Sequence, residues 1–296
     1  MGGWAVAVHG GAGIWRDEDE ARACAGVAAA VACARIALEG GGDALDAACA
    51  AVAQLENDPL FNAGTGAVLN RDGDVELDAS VMTGHDLRCG GVAALRGVRN
   101  PVLVARRVME ASPHVLLAGE GARGFAQEQE FDVDYDLETV RAREAWRVRK
   151  LAVLDAAPPA PAGDTVGAVA LDRAGRLAAA TSTGGTILKL PGRVGDSPIP
   201  GAGNYASACA ACSATGRGEL MMRILAAKTL CDRVCAGVTP QQAVDALLTE
   251  MHGTLGADAG FVLLSSAGTL GIVHGTPAMP HAWQVEGTPV QVRFRC

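Results

Sequence analysis

The sequence predicts an α+β fold in which helices cover the outside of stacked antiparallel sheets, and three observations carry that reading. Strand hairpins followed by blocks of helices occur twice along the chain, which is not the regular alternation of a βαβ fold. Hydrophobic residues fill 49% of the 296 positions but aromatics only 4%, so the interior must be Ala, Val and Leu packed through small side chains. Neither half of the chain offers enough strands to cover its own helices, so residues 1–296 are expected to form one domain although a linker separates the halves.

The elements follow in order. Residues 4–8 form an apolar run that reads as a buried strand, ending in the glycine-rich turn His9-Gly10-Gly11-Ala12-Gly13. Asp17 with Glu20 three positions on resembles a capping box, opening an alanine-rich helix to Leu38 that stops at Gly40-Gly41-Gly42. A second helix is expected over residues 44–55, then a polar loop over 56–66. Strands at 67–70 and 75–82 flank Arg71-Asp72-Gly73-Asp74, a hairpin signal, and a short strand covers 92–95. Asn100-Pro101 starts a helix to about Ala111, in the favoured order of cap and first-turn proline. A strand at 114–117 and another helix come next.

From Asp132 the chain turns charged and helical, and then reads Ala157-Pro158-Pro159-Ala160-Pro161-Ala162-Gly163, so a flexible linker is assigned to about 141–164. Beyond it, residues 165–171 and 176–181 make a hairpin, and 205–215 reads as extended. A long helix over 219–235 precedes a capped helix from Thr239-Pro240 to about His252. Strands near 261–264, 270–274 and 290–294 close the chain.

Bulk properties exclude several classes of function. A formal charge of -8 argues against nucleic acid, which needs a concentrated basic face; the modest cluster Arg141 to Lys150 reads as a solvated helix face. Nine cysteines scattered along a long chain do not form a secreted disulfide framework. The N-terminus lacks the features of a signal peptide, and no uninterrupted apolar stretch reaches the roughly 18 residues of a membrane span. A cytoplasmic protein without a membrane partner is expected.

Some motifs mislead. His9-Gly10-Gly11 imitates a lipase oxyanion turn, but no Gly-x-Ser-x-Gly elbow accompanies it. Gly201-Ala202-Gly203-Asn204-Tyr205-Ala206 imitates a dinucleotide fingerprint but follows prolines instead of a strand. Cys209 and Cys212 with Cys231 and Cys235 suggest zinc, yet cysteines three apart on a strand face opposite ways.

The polar stretch 163–218 is different. Hydroxyls, one arginine, one aspartate and many glycines alternate there with short apolar runs, a pattern of strand ends converging on a pocket. Thr165, behind a linker and before a strand, could become a chain terminus if the bond to Asp164 is cut. Its hydroxyl would attack the Asp164 carbonyl, an N-to-O acyl shift would give an ester, and water would release the amine. That amine, with a pKa of roughly 7.7–8.0, can deprotonate its own hydroxyl. Arg193 can grip an α-carboxylate bidentately while Asp196 takes the adjacent ammonium, a pair suited to the zwitterionic end of an aspartyl group.

The motifs together resemble the plant-type asparaginase and isoaspartyl peptidase family of N-terminal nucleophile hydrolases. They are His9-Gly10-Gly11-Ala12-Gly13, Leu60-Phe61-Asn62-Ala63-Gly64, Asn100-Pro101-Val102, Thr165-Val166-Gly167-Ala168-Val169-Ala170, Thr181-Ser182-Thr183-Gly184-Gly185, Leu190-Pro191-Gly192-Arg193-Val194-Gly195-Asp196-Ser197 and Thr215-Gly216-x-Gly218. The resemblance implies a four-layer αββα sandwich, cut into an α chain 1–164 and a β chain 165–296, and a dimer of such αβ units. It implies Thr165 as nucleophile with its amine as base and Thr183 supporting the hydroxyl. Thr215 and the Gly216 N–H would form the oxyanion hole, and Asn62 would approach the amine. Arg193, Asp196, Gly216 and Gly218 would bind substrate. No cofactor is implied for catalysis, but a structural sodium ion is, held by backbone carbonyls of Leu55, Glu56, Asp58, Phe61, Ala63 and Thr65. Asparagine or β-aspartyl dipeptides are the implied substrates. Asp164-Thr165 is the junction typical of glycosylasparaginases, which makes that activity the alternative, whereas Gly184-Gly185 favours the asparaginase side. An unprocessed protein that only binds aspartyl ligands is the competitor outside catalysis.

Overall fold

A computed structural model describes residues 3–154 and 165–295. Before the gap in description lie β1 (Ala5–His9), α1 (Glu20–Glu39), α2 (Ala44–Asn57), β2 (Leu77–Thr83), β3 (Cys89–Leu95), α3 (Pro101–Ala111), β4 (Leu116–Ala118), α4 (Gly119–Glu128) and α5 (Val140–Leu154). After it come β5 (Val166–Leu171), β6 (Leu177–Thr183), β7 (Asn204–Ala206), β8 (Ala210–Gly216), α6 (Gly218–Ile224), α7 (Ala226–Cys235), α8 (Pro240–Leu255), β9 (Ala259–Ser265), β10 (Leu270–His274), β11 (His281–Val285) and β12 (Gln291–Arg293).

The strands form two sheets, so the α+β class holds. The larger runs β12-β11-β1-β5-β6-β2-β3-β4 and the smaller β10-β9-β8-β7; β3 and β4 pair parallel and the other neighbours antiparallel. Period-two alternation divides the strand residues between separate cores. Ala168 and Ala170 of β5 face a cluster shared with Val27 and Val31 of α1, Val52 of α2 and Val104 of α3. Val169 and Leu171 turn the other way, onto Ala211, Val262 and Leu264 of the smaller sheet. The smaller sheet's opposite side carries Cys212, Ala214 and Phe261 against Leu230 and Cys231 of α7 and Val244 and Leu247 of α8. Small side chains therefore line both faces of the central strands, as the alanine-rich composition requires, and each buried Val or Leu contributes about 1.5–3 kcal/mol.

Several expectations are corrected. Asp17 makes no capping box: Asp17–Asp19 is a short 3-10 turn, and neither its N-cap nor that of α1 forms a side-chain bond. The reciprocal box sits instead at α2, between Asp43 and Asp46. Asn100 does not cap α3. Its amide donates to Glu56 Oε2 (3.1 Å) and Asn57 Oδ1 (3.2 Å), while the Glu56 carboxyl receives the Val102 N–H of that helix (3.0 Å). The single helix expected over 219–235 is two, broken where Leu225 takes a left-handed conformation (φ 46°, ψ 56°). The cause is tertiary: the N–H groups of Ala227 and Lys228 bond to the carbonyls of Ala202 and Gly201. Strand β11, absent from the sequence reading, pairs with β1.

The flexible linker over 141–164 is too long, because helix α5 occupies its first part. Trp146 Nε1 donates to Asn70 O (2.8 Å), Arg143 Nη2 to Gly73 O (3.1 Å), and Arg141 forks onto the buried Asp19 carboxylate (3.1 and 2.8 Å). These bonds dock the helix on the 70–74 turn and on the start of α1. The proline-rich run at 157–163 and Asp164 lie outside the described residues. By length and composition the helical stretch Asp17–Glu39 could cross a membrane, but Arg22, Gly26 and Arg35 interrupt its apolar run. Its Ala23, Val27, Ala30, Val31, Ala34 and Leu38 are spent on the core against β1, β11 and α2.

Candidate active site

Central strands place the first group. Thr165 directly precedes β5, whose neighbours are β1 and β6, and the register Val166↔Ser182 brings it opposite Thr183 at the end of β6. The Thr165 hydroxyl donates to Thr183 Oγ1 at 3.1 Å, and both residues are buried. Thr183 Oγ1 also accepts the Gly185 N–H (2.9 Å), so its position is held by the turn that follows the strand. Asn62 holds the same turn from the other side. Its Nδ2 donates to Gly185 O (2.8 Å), its Oδ1 accepts from Val68 N (2.9 Å), and its carbonyl accepts from Gly184 N (3.0 Å). A Cβ at Gly184 would lie 2.5 Å from Asn62 Oδ1, which explains a glycine there.

A cavity of about 10 Å³, room for roughly one water, opens beside these hydroxyls and is lined by Thr165, Thr183, Gly185, Arg193, Asp196 and Gly216 among others. Six of the predicted site residues, counting Gly218, thus meet at one place. Thr215 and Asn62 stand behind the lining. Thr215 Oγ1 accepts the Ala12 N–H (3.2 Å), which leaves its own proton to donate elsewhere.

Arg193 and Asp196 are not each other's ion pair. The Arg193 guanidinium engages Glu219 (2.9 Å) at the rim of the site. Asp196 is buried, and its Oδ2 has no hydrogen-bond partner among the described residues. Burial pushes the Asp196 carboxyl up to about 7, opposed by its own backbone N–H and by Arg193. An orphaned carboxylate oxygen inside a protein is costly unless a ligand supplies a donor. Gly218 makes room: a Cβ there would lie 2.8 Å from Asp196 Oδ1 and 3.0 Å from Arg193 Nη2.

Residues not read from the sequence hold this frame. Gly195 N donates to Asp78 Oδ2 (3.1 Å) and Gly192 N to both oxygens of Glu76, so two acids at the start of β2 fix the loop that carries Arg193 and Asp196. Lys189 Nζ donates to Glu76 O (2.9 Å). Behind β5, His9 Nε2 lies 2.8 Å from Ser213 Oγ, which is in turn 2.8 Å from Thr181 Oγ1. Burial lowers the His9 pKa to about 3, against the Thr165 backbone beside it, which raises it. This chain of neutral hydrogen bonds ties β1, β8 and β6 around the strand that begins at Thr165. A glycine within that apolar strand was its only trace in the sequence, since a Cβ at Gly167 would fall 1.9 Å from Ser213 Oγ.

The turn expected to hold sodium is wound tightly enough to suit it. Carbonyls of Leu55, Asp58, Phe61 and Ala63 accept turn bonds from Asp58, Phe61, Ala63 and Gly66, each keeping a second lone pair. The buried Thr65 hydroxyl in this turn has no partner among the described residues, and carbonyl oxygens suit a hard cation. The donor set therefore fits such an ion. Glu56, whose carbonyl belongs to this set, has a fully buried carboxyl that burial pushes up to about 8, against bonds from Asn100 and Val102.

Comparison with known proteins places the sequence in a family. A family model described as Asparaginase matches residues 2–292. The plant-type L-asparaginase of Pyrococcus furiosus is 43% identical over 299 residues, covering 96% of this chain and 97% of its own. The isoaspartyl peptidase of Escherichia coli is 43% identical over 313 residues, covering 100% and 97%. The isoaspartyl peptidase/L-asparaginase of Bos taurus is 40% identical over 289 residues, covering 95% and 93%. A family match over residues 2–292 and relatives 40–43% identical over nearly the whole chain make this chain a member of the asparaginase family of hydrolases.

Proposed function

We propose that this chain hydrolyses the side-chain amide of L-asparagine and of β-aspartyl dipeptides, releasing L-aspartate, after cutting its own backbone between Asp164 and Thr165. The observation that carries the reading is the Thr165 hydroxyl, 3.1 Å from Thr183 Oγ1, in one cavity with Arg193 and with Asp196, whose Oδ2 has no partner among the described residues. A buried acid and a guanidinium suit the ammonium and carboxylate of an aspartyl group, which leaves the side-chain carbonyl for Thr165.

In processing, Thr165 Oγ attacks the Asp164 carbonyl carbon, the C–N bond breaks, and the amide nitrogen takes up protons as the ester forms. Water then hydrolyses the ester, leaving a carboxylate on Asp164 and a free amine and hydroxyl on Thr165. In turnover that amine accepts the Oγ proton as Oγ attacks the substrate carbonyl. The Thr215 hydroxyl and the Gly216 N–H stabilise the oxyanion, each donor supplying roughly 2.7–4 kcal/mol. The leaving amine departs with the proton, and water releases aspartate from the β-aspartyl ester. Thr183 orients the nucleophile, Asn62 faces the new amine, and Gly218 leaves room for the ligand backbone.

The same reading makes the two sheets and their helices a four-layer αββα sandwich, the product a dimer of αβ units, and the compartment cytoplasmic. No cofactor takes part in the chemistry. A sodium ion bound by the 55–65 turn stabilises it, so exchanging sodium for tetramethylammonium should lower Tm.

Intact mass after overexpression tests the proposal. Two fragments meeting at Asp164/Thr165 in the wild type, a single chain in Thr165→Ala, and aspartate released from asparagine and β-aspartyl-leucine are expected. An active preparation made of uncut chain would refute the scheme. Release from N-acetylglucosaminyl-asparagine in preference to both would favour glycosylasparaginase activity, and an uncut inert wild type would favour a binding protein.

A further inference from the structure

Next to the small cavity lies a much larger one of about 730 Å³, and the two share Thr186 and Gly216 in their walls. If the aspartyl end occupies Arg193 and Asp196 and the reacting carbonyl lies at Thr165 and Gly216, the leaving group projects past those shared residues into the larger cavity. This step rests on the function proposed above. A cavity of this size holds an amino-acid residue with ease, far more than the ammonia released from asparagine.

Its chemistry is specific. Ile14, Ile187 and Pro277 give it an apolar wall, and Ile14 is 67% exposed there, a large aliphatic surface left in water. Two acids line it but are engaged elsewhere: Glu219 by Arg193 at 2.9 Å, and Asp258 beside His252 Nδ1 at 3.4 Å. Arg217 also lines it, immediately after Gly216, and among the described residues its guanidinium makes no hydrogen bond or ion pair, only its carbonyl accepting from Leu220 and Met221 N–H. An exposed guanidinium without a partner, adjoining the shared wall, is placed to meet an anion on whatever leaves.

We infer that Arg217 binds the α-carboxylate of the departing residue, so that this pocket selects β-aspartyl dipeptides with a free carboxylate and an apolar second side chain. The guanidinium forms a charge-assisted hydrogen bond to the carboxylate, and the Ile14/Ile187 wall covers the side chain.

The test compares kcat/KM for β-aspartyl-leucine and β-aspartyl-leucinamide, whose only difference is the terminal carboxylate, in wild type, Arg217→Lys and Arg217→Ala. The ratio of the two is independent of the folded or processed fraction of each preparation. We expect the wild type to favour the acid about tenfold, the scale of one hydrogen bond to a charged group. Arg217→Lys should keep part of that preference and Arg217→Ala should bring the ratio close to one. An acid-to-amide ratio near one in the wild type, or one unchanged in Arg217→Ala, overturns the inference. L-asparagine, measured alongside on the wild type, separates the two levels: turnover of asparagine with no acid preference refutes only the role of Arg217. Inertness toward all three substrates refutes the proposed function and the inference together.

Discussion

Replacing Gly167 by alanine tests whether the buried chain His9–Ser213–Thr181 is a structural brace. An added Cβ would lie 1.9 Å from Ser213 Oγ, 2.6 Å from His9 Nε2 and 2.9 Å from Ser213 Cβ, where ordinary contact begins at 3.4 Å. Strand β5 cannot move away by that difference, because it is paired on both sides, to β1 and β6. Ser213 must therefore swing its hydroxyl aside, breaking both 2.8 Å bonds, which leaves His9 Nε2 without a buried partner and Thr181 Oγ1 with only the Gly203 carbonyl at 3.4 Å. The orphaned imidazole nitrogen costs roughly 1–3 kcal/mol and the lost Thr181 bond roughly 0.5–1.5, so Gly167→Ala should cost roughly 1.5–4.5 kcal/mol. Ser213→Ala removes the same two bonds by another route and should cost about as much. In the double variant the bonds are already gone and the hydroxyl that clashed is absent, so only the Cβ–Cβ overlap at 2.9 Å is added. The double should be little worse than Ser213→Ala alone, with a coupling energy of about 1.5 kcal/mol or more. Urea unfolding in a Thr165→Ala background, where the chain stays a single polypeptide, would measure all four corners of the cycle. Additivity within about 0.5 kcal/mol would refute the brace.

Three other outcomes follow from buried charge and backbone strain. Burial holds the Glu56 carboxyl at about 8 in the folded protein against an ordinary value of 4.5, so between those pH values the native state holds a proton that the unfolded chain releases. Its contribution is fully present below about 4.5 and is lost as pH rises through about 8. The stability of wild type relative to Glu56→Gln should thus fall by at least about 1 kcal/mol between pH 5 and 8, and a pH-independent difference in thermal unfolding would contradict this. Asp196 must ionise to meet an ammonium, and with the Thr165 amine as a second group, log kcat/KM for asparagine should fall with a slope of about two below about pH 7. Asp196→Asn should lower kcat/KM about 10- to 100-fold at pH 8 and reduce that slope to one; a slope of two in the variant would exclude Asp196 as a titrating partner. Leu225 is 44% exposed and left-handed at φ 46°, a conformation that strains any side chain, so Leu225→Gly should stabilise by about 0.5–1 kcal/mol in urea unfolding, and a loss would mean that its side-chain packing outweighs the strain.

What could be read in the sequence, and what could not, divides along the distance over which each signal acts. The stretch that holds Thr165, Arg193 and Asp196 stood out because strand ends with hydroxyls and glycines are a local pattern, and a cation and an acid three residues apart suggest a zwitterion without any fold, whereas Thr183 and Gly216 were singled out only by the family resemblance. The two helices in place of one at Leu225 were not, since the break carries no Gly or Pro; it comes from the 201–202 carbonyls meeting the first turn of α7. The segment of helix α5 was read as a solvated helix face and counted with the linker, yet Trp146 in it was a sign that something would dock there. The brace is the hardest case, because His9 and Ser213 are 204 positions apart and meet only through the sheet order. Gly167 was the one mark it left, a residue without a side chain in a run where every neighbour is packed. Glycine in a strand weakens it unless something must come close, so the question to ask of that position was what occupies the space a Cβ would fill. Answered from the structure, it leads from one missing methyl group to a histidine, a serine and a threonine, all fixed around the backbone that presents Thr165.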